Sequence, residues 1–127
     1  MAADESNLLF ADETRSIIGA AMAVHNEIGH GFREKAYENA LVVAFKDSAI
    51  PWKQQARFPI HFREVKVDEF VPDLIAFDKI IVDTKTIQRI GSVEVGQMLN
   101  YLRVTGLQLA IILNVKNPKL EFRRVML

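Results

Sequence analysis

The sequence predicts an α/β (α+β) domain in which helices pack on a mixed β-sheet, with elements in the order α-α-β-β-β-α-β-β. Two stretches near the start carry apolar residues at three- and four-residue spacing, the signature of helices buried on one side. Extended apolar runs bounded by turn residues fill the middle and the end, with one more helical stretch between them. The 127 residues, 50% of them hydrophobic, suffice for one core and are too few for two.

Residues 1–11 are polar and terminal, and are expected to form a flexible arm ahead of a single domain at 12–127. The first helix follows from Ile17, Ile18, Ala21, Val24, His25 and Ile28; Asp12 or Thr14 can cap it, and Gly29-His30-Gly31 stops it. A second helix runs from about Arg33 to Ser48, burying Ala36, Ala40, Leu41, Val43, Ala44 and Phe45, until Pro51 ends that segment. Trp52–Phe62 reads as an extended run broken at Pro59, Arg63–Lys66 as a polar turn, and Val67–Phe77 as a second strand. Asp78-Lys79 then turns the chain into a strand at Ile80–Thr86. Ser92–Thr105 forms the third helix, with Ser92 as N-cap, Val95, Met98, Leu99 and Leu102 as its apolar stripe, and Gly106 closing it. Leu107–Asn114 is almost wholly apolar, which predicts a strand buried on both faces, and Asn117-Pro118 leads into a last strand at Leu120–Met126.

Composition excludes several function classes. With no cysteine there is no disulfide scaffold, thiolate zinc site, iron–sulfur cluster or cysteine nucleophile. No apolar run approaches the ~20 residues of a membrane helix, and the acidic start is unlike a signal peptide, so a cytoplasmic location with no membrane partner is expected. The 16 basic residues balance 16 acidic ones, but residues 1–13 hold four acids and no base, leaving the rest of the chain at 16 − 12 = +4. His25, His30 and His61 lack metal-ligand spacing, and no serine or glycine pattern matches a nucleophile elbow, a Walker loop or a dinucleotide fingerprint.

Three charged residues interrupt the apolar strands. Asp73 follows Pro72 within Phe70–Phe77, and Asp83 and Lys85 close the run Ile80–Lys85. Charges in such strands are costly unless paired, protonated or bound to a metal. Strand alternation puts Asp83 and Lys85 on one face. Two carboxylates holding a hard cation, with a lysine beside them to steer water or phosphate, are the ingredients of a magnesium-dependent phosphodiester hydrolase. The competing reading is an internal salt bridge of Lys85 with Asp73 or Asp83.

Pro72-Asp73, nine intervening residues and Asp83-Thr84-Lys85 resemble the PD-(D/E)xK signature of restriction-endonuclease-like nucleases. Gly31-Phe32-Arg33-Glu34-Lys35-Ala36-Tyr37 resembles the motif of the GxxExxY family, a branch of that superfamily, and the similarity runs from about Ile17 to the C-terminus. The chain departs from the family in carrying Asp83 where glutamate is more usual; the shorter side chain needs the cation closer to the strand. The resemblance implies a restriction-endonuclease-like core, with helices on both sides of a mixed sheet and the site at the forked ends of the Asp73 and Asp83 strands. It further implies Asp73 and Asp83 as ligands of Mg2+ (or Mn2+), Thr84 contributing its backbone carbonyl, and Lys85 orienting the attacking water. Glu34 would be an additional catalytic and metal-binding acid from the first core helix, a role its helix neighbour Glu38 could share or take over. The competing reading of Glu34 is an acid facing the positive end of its helix. Tyr37 of the same motif joins the expected substrate-binding residues. Gln97 and Tyr101, twelve and sixteen residues after Lys85, resemble the Q-x-x-x-Y motif of lambda-exonuclease-like and recombination-helicase nucleases, and can hold phosphate or a nucleic-acid end.

The expected function is metal-dependent hydrolysis of phosphodiester bonds in nucleic acid, DNA before RNA. The alternative is a catalytically silent nucleic-acid-binding or regulatory module on the same fold. Neutral net charge leaves little surface for gripping a duplex, which a homodimer or a partner protein could supply. The site also imposes a condition on the hairpin. With a two-residue loop at Asp78-Lys79, Asp73 opposes Thr84 and the two aspartates face opposite ways. A three-residue loop, Phe77-Asp78-Lys79, or a bulge is therefore expected.

Overall fold

A computed structural model describes residues 8–127. Most of the expected arm lies outside the described residues; Leu8–Phe10 form a turn ahead of helix α1, Ala11–Ile28. The helix is entered through Phe10 in the left-handed region (φ 52°), with no side-chain cap, so neither Asp12 nor Thr14 plays the expected role. Helix α2 spans Glu34–Asp47 and α3 spans Ser92–Thr105. The α3 cap is Gly91 rather than Ser92: the Glu94 carboxylate accepts the Gly91 N–H at 2.7 Å, closing the first turn from within the helix.

The strands are β1 Trp52–Gln54, β2 Phe58–Phe62, β3 Val65–Phe70, β4 Leu74–Ala76, β5 Ile80–Lys85, β6 Leu109–Asn114 and β7 Glu121–Met126. Five form one mixed sheet in the order β1-β4-β5-β6-β7, and β2 and β3 form a separate antiparallel ribbon. Each of the first two expected strands is thus divided between two sheets. The expected turn at Arg63–Lys66 shrinks to Arg63-Glu64, both at positive φ (49° and 67°), with Phe62 opposite Val65. Pro59 is tolerated inside β2 because a two-stranded ribbon leaves outward amides without a partner strand. Between ribbon and sheet, Val71-Pro72-Asp73 redirects the chain.

Two apolar layers enclose the main sheet. Alternate residues Leu74, Ala76, Ile80, Val82, Leu109, Ile111 and Leu113 pack with α1 and α2 through Ile17, Ala21, Tyr37, Leu41 and Phe45. The opposite set, Ile81, Ala110, Ile112 and Val125, packs with Met98 and Leu102 of α3 and with Phe70. Strand β6 is buried at every residue, as its unbroken apolar sequence requires. On α2 the buried face runs through Tyr37, Glu38, Leu41 and Phe45, whereas Val43, expected inside, is exposed. The β5–α3–β6 unit is a parallel crossover with Ile80 paired to Leu109, so α3 lies over the face carrying the odd-numbered residues of β5.

Candidate active site

The β4–β5 hairpin pairs Ala76 with Ile80, Ile75 with Ile81 and Leu74 with Val82. Its loop therefore holds three residues, Phe77-Asp78-Lys79, with Phe77 and Asp78 at φ 57° and 58° and the Lys79 N–H donating to Ala76 O at 3.1 Å. The expected three-residue loop is present. One step beyond Leu74–Val82, this register brings Asp73 level with Asp83. Strand alternation then sets Ile75, Ile81, Asp83 and Lys85 toward α3.

Strand pairing to β4 stops at Leu74, so the Thr84 N–H on that side has lost a backbone acceptor. The Asp73 carboxylate replaces it: Oδ2 accepts from Thr84 N at 2.9 Å and from Thr84 Oγ1 at 2.8 Å. Lys85 Nζ lies 3.2 Å from Asp83 Oδ2, so the salt bridge considered for Lys85 exists, and its partner is Asp83. Glu34, in the first turn of α2, reaches across to the end of β5, where its Oε1 accepts the Thr86 N–H at 3.0 Å. These groups, with Glu69, Phe70, Val71, Gln97 and Tyr101, line one polar cavity of about 250 Å³. Two larger clefts, along α1, are mainly apolar, and a third, of about 530 Å³, adjoins the site and is lined by Arg33, Glu34, Lys35 and Thr86.

Burial raises the Asp73 pKa to about 6, helped by the neighbouring charge of Asp83 and opposed by the Thr84 hydrogen bonds. Burial likewise pushes the Asp83 carboxyl up against the pull of Lys85. For Lys85, burial disfavours the charge, but Asp83, Glu34 and Asp73 outweigh it and hold the ammonium above its ordinary value. Two carboxylates that resist ionising together, beside a firmly protonated lysine, leave the cavity short of positive charge. Among the described residues no three His, Cys, Asp or Glu side chains converge on a point that would hold an ion unaided. Magnesium asks for less, because it keeps several waters and takes one or two carboxylates. Asp73 and Asp83 supply that donor set, so the residues present fit the ion.

Gln97 and Tyr101 come together on α3 and face the cavity: Gln97 Nε2 donates to the Tyr101 hydroxyl at 2.9 Å. The tyrosine ring stacks on Phe70 with centroids 3.6 Å apart and planes 8° from parallel. Tyr37 departs from expectation. It is fully buried, its hydroxyl donates to Gly29 O at 2.7 Å, and it accepts from Phe32 N–H at 3.3 Å. It braces the loop between α1 and α2 and lies outside the cavity.

Glu38 is also absent from the cavity lining. Its buried carboxylate accepts from Gln54 Nε2 at 2.6 Å, Gln55 Nε2 at 2.9 Å and Lys35 Nζ at 3.1 Å. Burial pushes this carboxyl up, and the three donors outweigh it, so its pKa lies below the ordinary value. Gln55 in turn donates its backbone N–H to Asp73 O at 3.2 Å, so Glu38 supports the site from behind. The supporting pair Gln54-Gln55 and the cavity residues Glu69 and Phe70 escape sequence reasoning, since single residues at strand ends, polar or apolar, have no spacing that marks them. The basic residues are dispersed: Lys53 pairs with Asp78, Arg57 with Glu69 and Lys35 with Glu38.

Fold and site together define a nuclease-type α/β domain, a mixed sheet flanked by helices with acids and a lysine at adjacent strand ends. A family model described as the PD-(D/E)XK nuclease superfamily matches residues 11–125, and the chain belongs to that superfamily. No curated protein and no solved structure matches it.

Proposed function

We propose that this protein is a metal-dependent nuclease of the GxxExxY branch, hydrolysing phosphodiester bonds in nucleic acid, with DNA as the first substrate, in the cytoplasm. The observation that carries the reading is the convergence of Asp73, Asp83, Lys85 and Glu34 with Gln97 and Tyr101 on one polar cavity. Asp73 and Asp83, with the Thr84 carbonyl, would hold Mg2+ or Mn2+, and Glu34 would contribute through water. The bound cation would polarise the phosphodiester and favour ionisation of water. Lys85, protonated throughout the neutral range, holds the attacking water or a non-bridging phosphate oxygen by a charge-assisted hydrogen bond. Because Gln97 donates to the Tyr101 oxygen, the tyrosine's own proton is left to bind a phosphate oxygen. Among the described residues no helix is long and apolar enough to cross a membrane.

The test is cleavage of end-labelled single- and double-stranded DNA and RNA with magnesium, manganese or EDTA. Cleavage that needs the divalent ion and disappears in Asp83→Asn is the expected result. Binding without cleavage under every ionic condition would instead support the silent module, and sedimentation of the same samples shows whether two copies act together.

A further inference from the structure

The β2–β3 ribbon carries features that its packing does not explain. Its base is anchored: Phe58, Ile60 and Phe70 join the apolar layer under α3, and Glu69 and Phe70 line the cavity. Its tip leaves the body of the protein, and every residue from His61 to Asp68 is exposed. Three of these are large and apolar, Phe62, Val65 and Val67, at 61%, 63% and 59% exposure. A cluster of that kind on a projecting element marks a contact surface.

The local backbone is adapted to the same end. The register slips between Ile60 and His61, leaving Val67 as the extra residue of a bulge and bringing Val65 beside Phe62. The two-residue turn needs positive φ twice, and the chain fills it with Arg63 and Glu64 where glycine or asparagine would be easiest. Both residues are held in a sparsely populated conformation, at a cost that side-chain function at the tip would offset. Arg57 and Lys66 are both paired with Glu69, lower on the ribbon. Arg63 instead lays its guanidinium over the Phe62 ring, 5.0 Å from its centre. The guanidinium covers one side of a ring that is still largely exposed, and an aromatic group carrying a cation matches an unpaired base and the phosphate next to it.

We propose that the ribbon tip, Phe62 with Arg63, binds an unpaired nucleobase and its phosphate on a strand that continues into the cavity. This rests on the nuclease reading for the identity of the strand. Phe62 stands four residues along β2 from Phe58, which pairs with Phe70, about 13 Å of extended chain, so the tip meets the strand about four stacked nucleotides from the cavity.

The test is fluorescence anisotropy in EDTA with labelled unstructured oligonucleotides of about 4 and about 12 nucleotides, as DNA and as RNA. The double variant Phe62→Ala/Arg63→Ala changes only exposed side chains, and circular dichroism checks its fold. It should bind the longer strands at least about tenfold more weakly than the wild type and the shorter ones equally. Phe62→Trp should keep full affinity, and its emission should be quenched on binding, over the constant signal of Trp52. The DNA and RNA arms show which strand the tip prefers.

Equal affinity of wild type and double variant overturns the proposal. So does an unresponsive tryptophan, a wild type that binds neither length, or a wild-type dimer that the double variant dissociates. If cleavage occurs as proposed while the tip variants bind normally, the tip reading alone fails. If no ion supports cleavage but the double variant loses affinity, the nuclease reading fails and the tip stands as a binding surface.

Discussion

Asp73→Asn should stabilise the metal-free protein at neutral pH and lose that advantage in acid. The carboxyl titrates near 6 in the folded chain against an ordinary 3.8, because it is buried beside Asp83. A raised folded pKa means that the native state keeps a proton the unfolded chain has already released. The penalty is therefore absent below about pH 4, grows as pH rises, and is complete above about pH 6. At full burial the rise corresponds to about 3 kcal/mol. Asp73 is only partly buried, and solvent screening reduces this to about 1–2 kcal/mol. Asparagine keeps an oxygen that accepts both Thr84 hydrogen bonds, so the substitution removes the charge and spares the geometry. The assay is urea denaturation of both proteins in EDTA at several pH values between 4 and 7. Differencing the two proteins cancels every other titrating group to first order. The stability of the variant relative to wild type should climb by about 1–2 kcal/mol across that range. A flat or falling difference refutes the claim that the aspartate is held ionised against its surroundings.

Magnesium at a hundred times its Kd should stabilise the wild type by about 2.7 kcal/mol in thermal denaturation, and Asp83→Asn should lose most of that gain. Lys85→Met keeps the bulk of the side chain and removes the ammonium; it should abolish cleavage with the circular dichroism spectrum unchanged, and retained cleavage would leave Lys85 only its ion pair with Asp83. Tyr37→Phe should cost about 1 kcal/mol, from the lost bond to Gly29 O, and leave oligonucleotide affinity unchanged. Asn114→Ala should cost about 2–4 kcal/mol in denaturation, because the fully buried amide bonds both Ile87 N and Ile87 O and also Glu121.

Local pattern determined much of this protein from sequence alone. The bounds of α3, the two-sided burial of β6 and the shared face of Asp83 and Lys85 follow from periodicities that hold whatever the partners are. The alternation rule went further, converting the requirement that Asp73 meet Asp83 into a three-residue loop, which the hairpin has. Tertiary structure decided what periodicity leaves free, namely which partner covers each face. Trp52–Phe62 and Val67–Phe77 each read as one extended run, yet each is shared between ribbon and main sheet, because strand pairing is non-local. Val43 lies outside and Tyr37 inside because the contact of α2 with α1 and the sheet selects one stripe of a helix with apolar residues on several sides. Glu34 and Glu38 lie one turn apart on the same face of α2 and are equivalent in sequence. Only packing separates them: Glu38 falls beneath Gln54 and Gln55, while Glu34, at the open end of the helix, reaches Thr86 just past β5 and lines the cavity.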